Sequence, residues 1–350
     1  MRRIFAVLDL KCEDISAVAA RWGRNGEYIP EGFSMSRSRG IHKGVITDMA
    51  LAADSISNVL QKLKKKGAGR IRDVYASVSP ASVGIVSSSG TLLLSRYGRE
   101  ISRPDVEKCI RVGSIVKLPL GTEALHRIVR EFSLDGQNGI RNPARLEGVK
   151  LSVDMNILTV DSSVVRNLNK CIALAGFAAS GVIFSGIAYA HRTLTEKDKE
   201  NGVALVNMCK DLTEALVFHK RILTACKVFG PGMDDVFAAD NSVKKKEMDR
   251  LMTVLRSLEG WPLIREIVIT GDAALRDDIL GPLEDLSGCP VRFGSCISRP
   301  FEDLPADRIG YIGCLGMLDY LHEEEKARRV KRNLFKETSH KVLRFLDKYF

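Results

Sequence analysis

Stretches of strand spacing and stretches of one-sided helix spacing follow each other in a definite order along the chain. Residues 3–10, RIFAVLDL, form an apolar run of buried-strand length, and 15–23, ISAVAARWG, alternate and turn at Gly23. Residues 28–48 read as a loop with short extended pieces. A helix is predicted from near Asp48 to Gly67, followed by a strand at 73–80, DVYASVSP. The middle differs. Residues 83–95, VGIVSSSGTLLLS, predict a hairpin turning at Ser-Ser-Ser-Gly. Residues 102–116 predict a helix with Ser102 as N-cap and Pro104 in its first turn. Extended segments follow at 123–136 and 149–161, then an amphipathic helix over 162–177 that ends at Gly176, then a strand and a helix over 181–195. A second series opens with strands at 201–208 and 211–229 around a His-Lys-Arg turn. It continues with a helix at 243–260, a strand, glycine turn and helix over 265–288, and a closing helix at 308–329. The second series partly repeats the first, so a duplicated, bilobed α/β molecule with a small α+β insertion is expected.

The last residues, 334–350, have a different character. Leu334, Thr338, Val342, Phe345, Leu346 and Tyr349 recur at helical steps of three and four, with Leu343 and Phe350 beside them. Lys336, Lys341, Arg344 and Lys348 lie on the opposite face. Charge sharpens this picture. The net charge is +10, yet residues 326–350 hold nine Lys and Arg against two acids, so +7 of it sits there. The body is nearly neutral and its aromatics are not interleaved with basic residues, which argues against nucleic acid as a partner. A basic amphipathic helix fits an anionic membrane surface. Phe335, Phe345, Tyr349 and Phe350 would enter the acyl boundary, and the basic residues would meet headgroups. No apolar run approaches the ~20 residues that span a bilayer, and no signal-peptide pattern is expected in the N-terminal run.

Candidate chemistry is sparse. The eight cysteines form no CxxC, and no histidine stands at metal-ligand spacing, so reduced thiols and no metal site are expected. His42, His126, His191 and His219 are isolated, and no nucleophile–base arrangement is suggested, so no catalytic residue is assigned.

Three motifs carry a family resemblance. SMSRSRGIHKGVITDM (34–49) looks like an early signature of FtsA, the actin-like bacterial cell-division protein. In 135–158, Gly139, Ile140, Asn142, Pro143, Leu146 and Gly148 keep the order and spacing of a motif in that family's inserted subdomain. Residues 171–206 resemble the segment joining its two lobes, and the basic terminal helix is a further likeness. The resemblance implies an actin-like (ribonuclease H-like, duplicated) fold. Lobe one would comprise 1–79 and 163–200, the insertion 80–162, lobe two 201–322, a charged linker 323–333 and the membrane-targeting helix 334–350. It also implies a peripheral protein of the cytoplasmic face of the bacterial inner membrane, with FtsZ and other division proteins as partners and self-association into filaments.

The nucleotide motifs depart from the family pattern. Glycines there let backbone amides approach phosphates. In the first hairpin Asp9 remains, but Lys11 stands where glycine belongs and Cys12 follows. In the second, Asn207 replaces the acid, and Cys209, Lys210 and Asp211 replace the glycines. The adenosine-side motif keeps Gly271 but has Asp272 after it. A pseudo-ATPase with no bound cofactor is expected, in which Lys11 and Lys210 pair with Asp9, Asp211 or Asp272. In the alternative, the two lysines bind phosphate as point charges and ATP with Mg is retained by a switching ATPase that polymerises. The short segment between Lys227 and Ile267, where the family has an outer subdomain, puts direct FtsZ binding in question and leaves a third reading open, a PilM-like adaptor of another envelope machine.

Overall fold

A computed structural model describes residues 4–23, 27–66, 69, 71–294 and 309–326. The terminal helix expected at 334–350 and residues 327–333 of the expected linker lie outside the described residues.

Lobe one begins with β1 (Ile4–Leu10), β2 (Asp14–Trp22) and β3 (Tyr28–Arg37), an antiparallel meander. The short β4 (Ile41–His42) and β5 (Val45–Ile46) form a hairpin, and α1 (Met49–Lys65) crosses to β6 (Ile71–Val78), which is parallel to β1. Asp48 caps α1, its Oδ1 accepting from the Leu51 amide at 2.9 Å. The helix buries Ala52, Ile56, Val59, Leu60 and Leu63, at helical spacing, against the sheet. Strand β3 differs from the loop expected for 28–48. Pro30 and Gly32 mask its alternation, and both sit on the sheet's edge strand, where the pairing with β2 shifts register between Ala19 and Ala20. An edge bulge is where a strand tolerates proline.

The insertion comprises β7 (Gly84–Leu93), β8 (Arg99–Glu100), α2 (Arg103–Gly113), β9 (Thr122–Leu134), β10 (Gln137–Ile140), β11 (Glu147–Gly148) and β12 (Lys150–Asp161). Its main sheet runs β10-β9-β12-β7. The hairpin expected at Ser87–Gly90 is not formed. These residues continue one strand, paired in unbroken register with β12 from Gly84↔Thr159 to Leu93↔Lys150. The local Ser-Gly composition is overridden because β12 offers ten consecutive partners and Gly90 is needed for packing. A Cβ there would lie 2.2 Å from the Gly113 amide nitrogen of α2. The predicted N-cap of α2 is present as a capping box between Ser102 and Asp105.

The chain returns to lobe one through α3 (Ser162–Leu174) and β13 (Ala178–Phe184), completing the sheet order β13-β6-β1-β2-β3. Helices α4 (Ser185–Thr193) and α5 (Glu196–Asn201) lead to lobe two. There β14 (Val203–Met208), β15 (Thr213–His219) and β16 (Ile222–Phe229) form a second meander. Helices α6 (Met233–Val236) and α7 (Asn241–Arg256) precede β17 (Glu266–Gly271), and α8 (Leu280–Ser287) precedes β18 (Val291–Phe293). The order β16-β15-β14-β17-β18 repeats lobe one strand for strand, antiparallel and parallel pairs included.

The closing helix α9 (residues 312–326) lies beyond lobe two in sequence, and the boundary expected at 322 assigned most of it there. It packs instead on the lobe-one sheet, where Cys314, Leu315 and Leu318 meet Phe5, Val7 and Val18. It also runs through 323–326, the start of the expected linker, with the Tyr320 hydroxyl donating to Glu324 Oε1 at 2.9 Å.

Candidate functional site

The β1–β2 turn of lobe one and the β14–β15 turn of lobe two face each other across the cleft between the lobes. Their short links hold polar side chains at fixed positions. The Lys11 amide donates to Asp14 O at 3.1 Å, and the Cys209 amide to Leu212 O at 2.9 Å.

Lys11 and Asp272 meet across the cleft, Nζ to Oδ1 at 3.2 Å, and Asp14 Oδ1 lies 3.4 Å from the same ammonium. Burial pulls the Lys11 ammonium down, but Asp272, Asp14 and Asp9 outweigh it and hold its pKa above the usual lysine value. Asp272 is placed by Gly271, whose φ of +78° is left-handed and whose Cβ would lie 2.5 Å from Asn207 Oδ1. The other Asp272 oxygen accepts from the Lys210 amide at 3.1 Å. The Lys210 side chain does not reach any expected partner and pairs with Glu13 of lobe one at 3.1 Å. Asp211 turns to lobe one as well. It accepts from the Lys43 amide at 2.6 Å, with His42 Nδ1 at 3.1 Å.

Asp9 is buried and accepts from Ser77 Oγ at 2.8 Å and from the Tyr189 hydroxyl at 3.1 Å. Burial raises its pKa, and Lys11 opposes that rise. Cys12 is driven up to about 12, first by burial and then by Asp211. It is therefore a thiol at neutral pH.

Below these groups lies a carboxylate that sequence reasoning missed. Glu214 is fully buried and accepts from Ser79 of lobe one, Ser185 at the start of α4 and Asn207 of lobe two. The Asn207 amide donates at 2.6 Å, and its own oxygen accepts from Thr270 Oγ1 at 3.2 Å. Burial lifts Glu214 to about 7, against the pull of its three donors. A glutamate inside the otherwise apolar run TEALVF was the available signal, since a charge in a buried strand needs partners. Ser79, Ser185, Tyr189, Glu13 and Lys43 carried no sequence signal of their own.

The cavity left between Asp9, Lys11, Cys12, Ser185, Cys209 and Asp211 is ≈ 10 Å³. That is about the room of one water molecule.

The insertion supplies the decisive likeness. Residues 81–159 match the model of the SHS2 domain inserted in FtsA. The FtsA of Borreliella burgdorferi is 32% identical over 217 residues, 62% of this chain and 52% of that protein. The FtsA of Escherichia coli K12 is 25% identical over 221 residues, 61% of this chain and 52% of that protein.

The chain is FtsA-like.

The FtsA-like chain spans about half the length of the curated relatives it matches. Two solved structures show that its fold is actin-like. A chain of the PilM–PilN type IV pilus biogenesis complex matches with a TM-score of 0.60 at 12% identity, covering 91% of this chain and 97% of that one. The MreB5 of Spiroplasma citri bound to ADP matches with a TM-score of 0.50 at 9% identity, covering 94% and 98%.

Proposed function

We propose that this FtsA-like chain is a non-enzymatic scaffold of a division assembly, with its cleft held shut by its own side chains in place of a nucleotide. The observation that carries this reading is the polar clasp between the lobes. Lys11–Asp272, Lys210–Glu13 and Asp211–Lys43 bridge lobe one and lobe two, and Glu214 ties Ser79 to Asn207 beneath them. Among the described residues, the cavity between Asp9, Lys11 and Asp211 is ≈ 10 Å³, far below the few hundred Å³ of a ligand pocket, which supports a cleft without nucleotide. Asp211 and Asp272 would also place like charge beside the phosphates of a nucleotide. The membrane contact of the scaffold is assigned to Leu334–Phe350, on the strength of their amphipathic spacing and the local charge.

Calorimetry of the full chain with ATP and Mg tests the closed cleft. No heat of binding at millimolar ATP is expected. Micromolar binding would overturn it and favour a nucleotide-switched ATPase.

A second reading, an adaptor for another envelope machine, is favoured by the short path between β16 and β17, where α6 and α7 are the α-helices present. Fluorescence anisotropy with the C-terminal tail peptide of FtsZ separates the two. Binding supports the division scaffold, and its absence supports the second reading.

A further inference from the structure

Away from the cleft, a cavity of ≈ 180 Å³ opens where the insertion, the α4–α5 connection and lobe two meet. Its floor is apolar and buried: Ile187 and Ala190 of α4, and Phe218 and Leu223 of the β15–β16 hairpin. Its rim is cationic: Arg127 of β9, Lys199 of α5 and Arg221 of the hairpin turn. The carboxylate of Glu196 stands between two of these cations, 3.1 Å from Lys199 Nζ and 3.6 Å from Arg221 Nε. That side chain is 63% exposed, so it can turn out to water. Arg127 makes no ion pair among the described residues.

The rim carries strained backbone. The hairpin turns on two residues, Lys220 at φ 51° and Arg221 at φ 65°. A turn of this kind is ordinarily built from Asn-Gly, because other side chains crowd the backbone in the left-handed region. Here the turn is tied to α5, the Lys220 amide donating to Glu200 O at 3.1 Å and the Arg221 amide to Lys199 O at 2.8 Å. The strained geometry aims a guanidinium at the mouth of an apolar cavity, as strain kept for a site would.

We propose that this cavity binds a small organic anion, a carboxylate or phosphate monoester borne on an apolar group about the size of a benzene ring. The size follows from the volume, since an apolar cavity of ~150 Å³ accommodates benzene. The head group takes the place of the Glu196 carboxylate between Lys199 and Arg221 and gains Arg127, a charge-assisted arrangement, while Glu200, 3.0 Å from Arg221 Nε, holds that guanidinium at the rim. The histidines of the inner wall add no charge. Burial keeps His126 and His191 neutral, at about 4 and about 3.

The test uses the full chain with phenyl phosphate and phenylacetate, followed by ligand-observed NMR and calorimetry. Inorganic phosphate and benzyl alcohol serve as the head-only and body-only controls. A dissociation constant below about 1 mM is expected for at least one of the two anions, and the tighter one identifies the head group. The double variant K220N/R221G installs the relaxed turn. It should melt no lower than the parent yet bind about tenfold more weakly, the loss of one charged contact. Ala190→Phe, which fills the floor, should abolish binding. The proposal is overturned if neither anion binds, if either control binds as well as they do, or if K220N/R221G retains parental affinity.

Discussion

At the scale of single residues, Glu214 is the group whose environment has the clearest consequence. Its carboxyl is held at about 7, against an ordinary value of 4.5, because burial outweighs three hydrogen-bond donors. The folded state therefore keeps a proton that the unfolded state releases. The stability this supplies is fully present below pH 4.5 and is lost as pH rises to about 7. Relative to Glu214→Gln, which cannot ionise, the parent chain should lose on the order of 3 kcal/mol across that window. Urea unfolding of both proteins at several pH values reads the difference, and parallel curves would show that Glu214 is ionised throughout. The lysines of the cleft were legible as departures from a glycine pattern. Their partners were legible only in part: Lys11 finds Asp272, one of the expected acids, but also Asp14, and Lys210 finds Glu13 instead of any expected acid. Which carboxylate a flexible ammonium reaches is decided by how the two turns face each other.

At the scale of elements, helices and caps were readable where a periodic face and a capping residue agreed, as in α1 and α2. Strands were misread where small residues imitate a turn. Ser87–Gly90 has turn composition but lies in the middle of β7, and Gly90 is there because α2 crosses over it. Gly90→Ala would drive a methyl group against the Gly113 backbone, which cannot swing aside as a side chain could. A loss of about 1–3 kcal/mol is expected, the usual cost of overpacking. Thermal or urea unfolding checks it, and an unchanged midpoint would mean that α2 can lift off the sheet at little cost.

At the scale of the whole molecule, the nearly neutral body and the basic residues 326–350 divide the work of the proposed scaffold. The body is clasped across its cleft, and the tail supplies the charge. Removing residues 326–350 should abolish co-sedimentation with vesicles rich in anionic lipid, since each basic residue near such a surface is worth about 1 kcal/mol. Vesicles of neutral lipid should bind the full chain far more weakly. Binding that survives the truncation would move the membrane contact to the folded body.

The sequence by itself determined the duplicated α/β order, the insertion between the halves of lobe one, the altered cleft motifs and the concentration of charge in the last residues. The order and the charge follow from local periodicity and counting, and the place of the insertion and the altered motifs from the family resemblance, none of which needs a distance. Only the tertiary structure decided that α9 packs on lobe one, that Glu214 ties the two lobes, and that the β15–β16 turn places Arg221 at the rim of a cavity. Each of these joins segments far apart in the chain, and the energy of a buried charge or a crowded backbone depends on neighbours that sequence spacing does not specify.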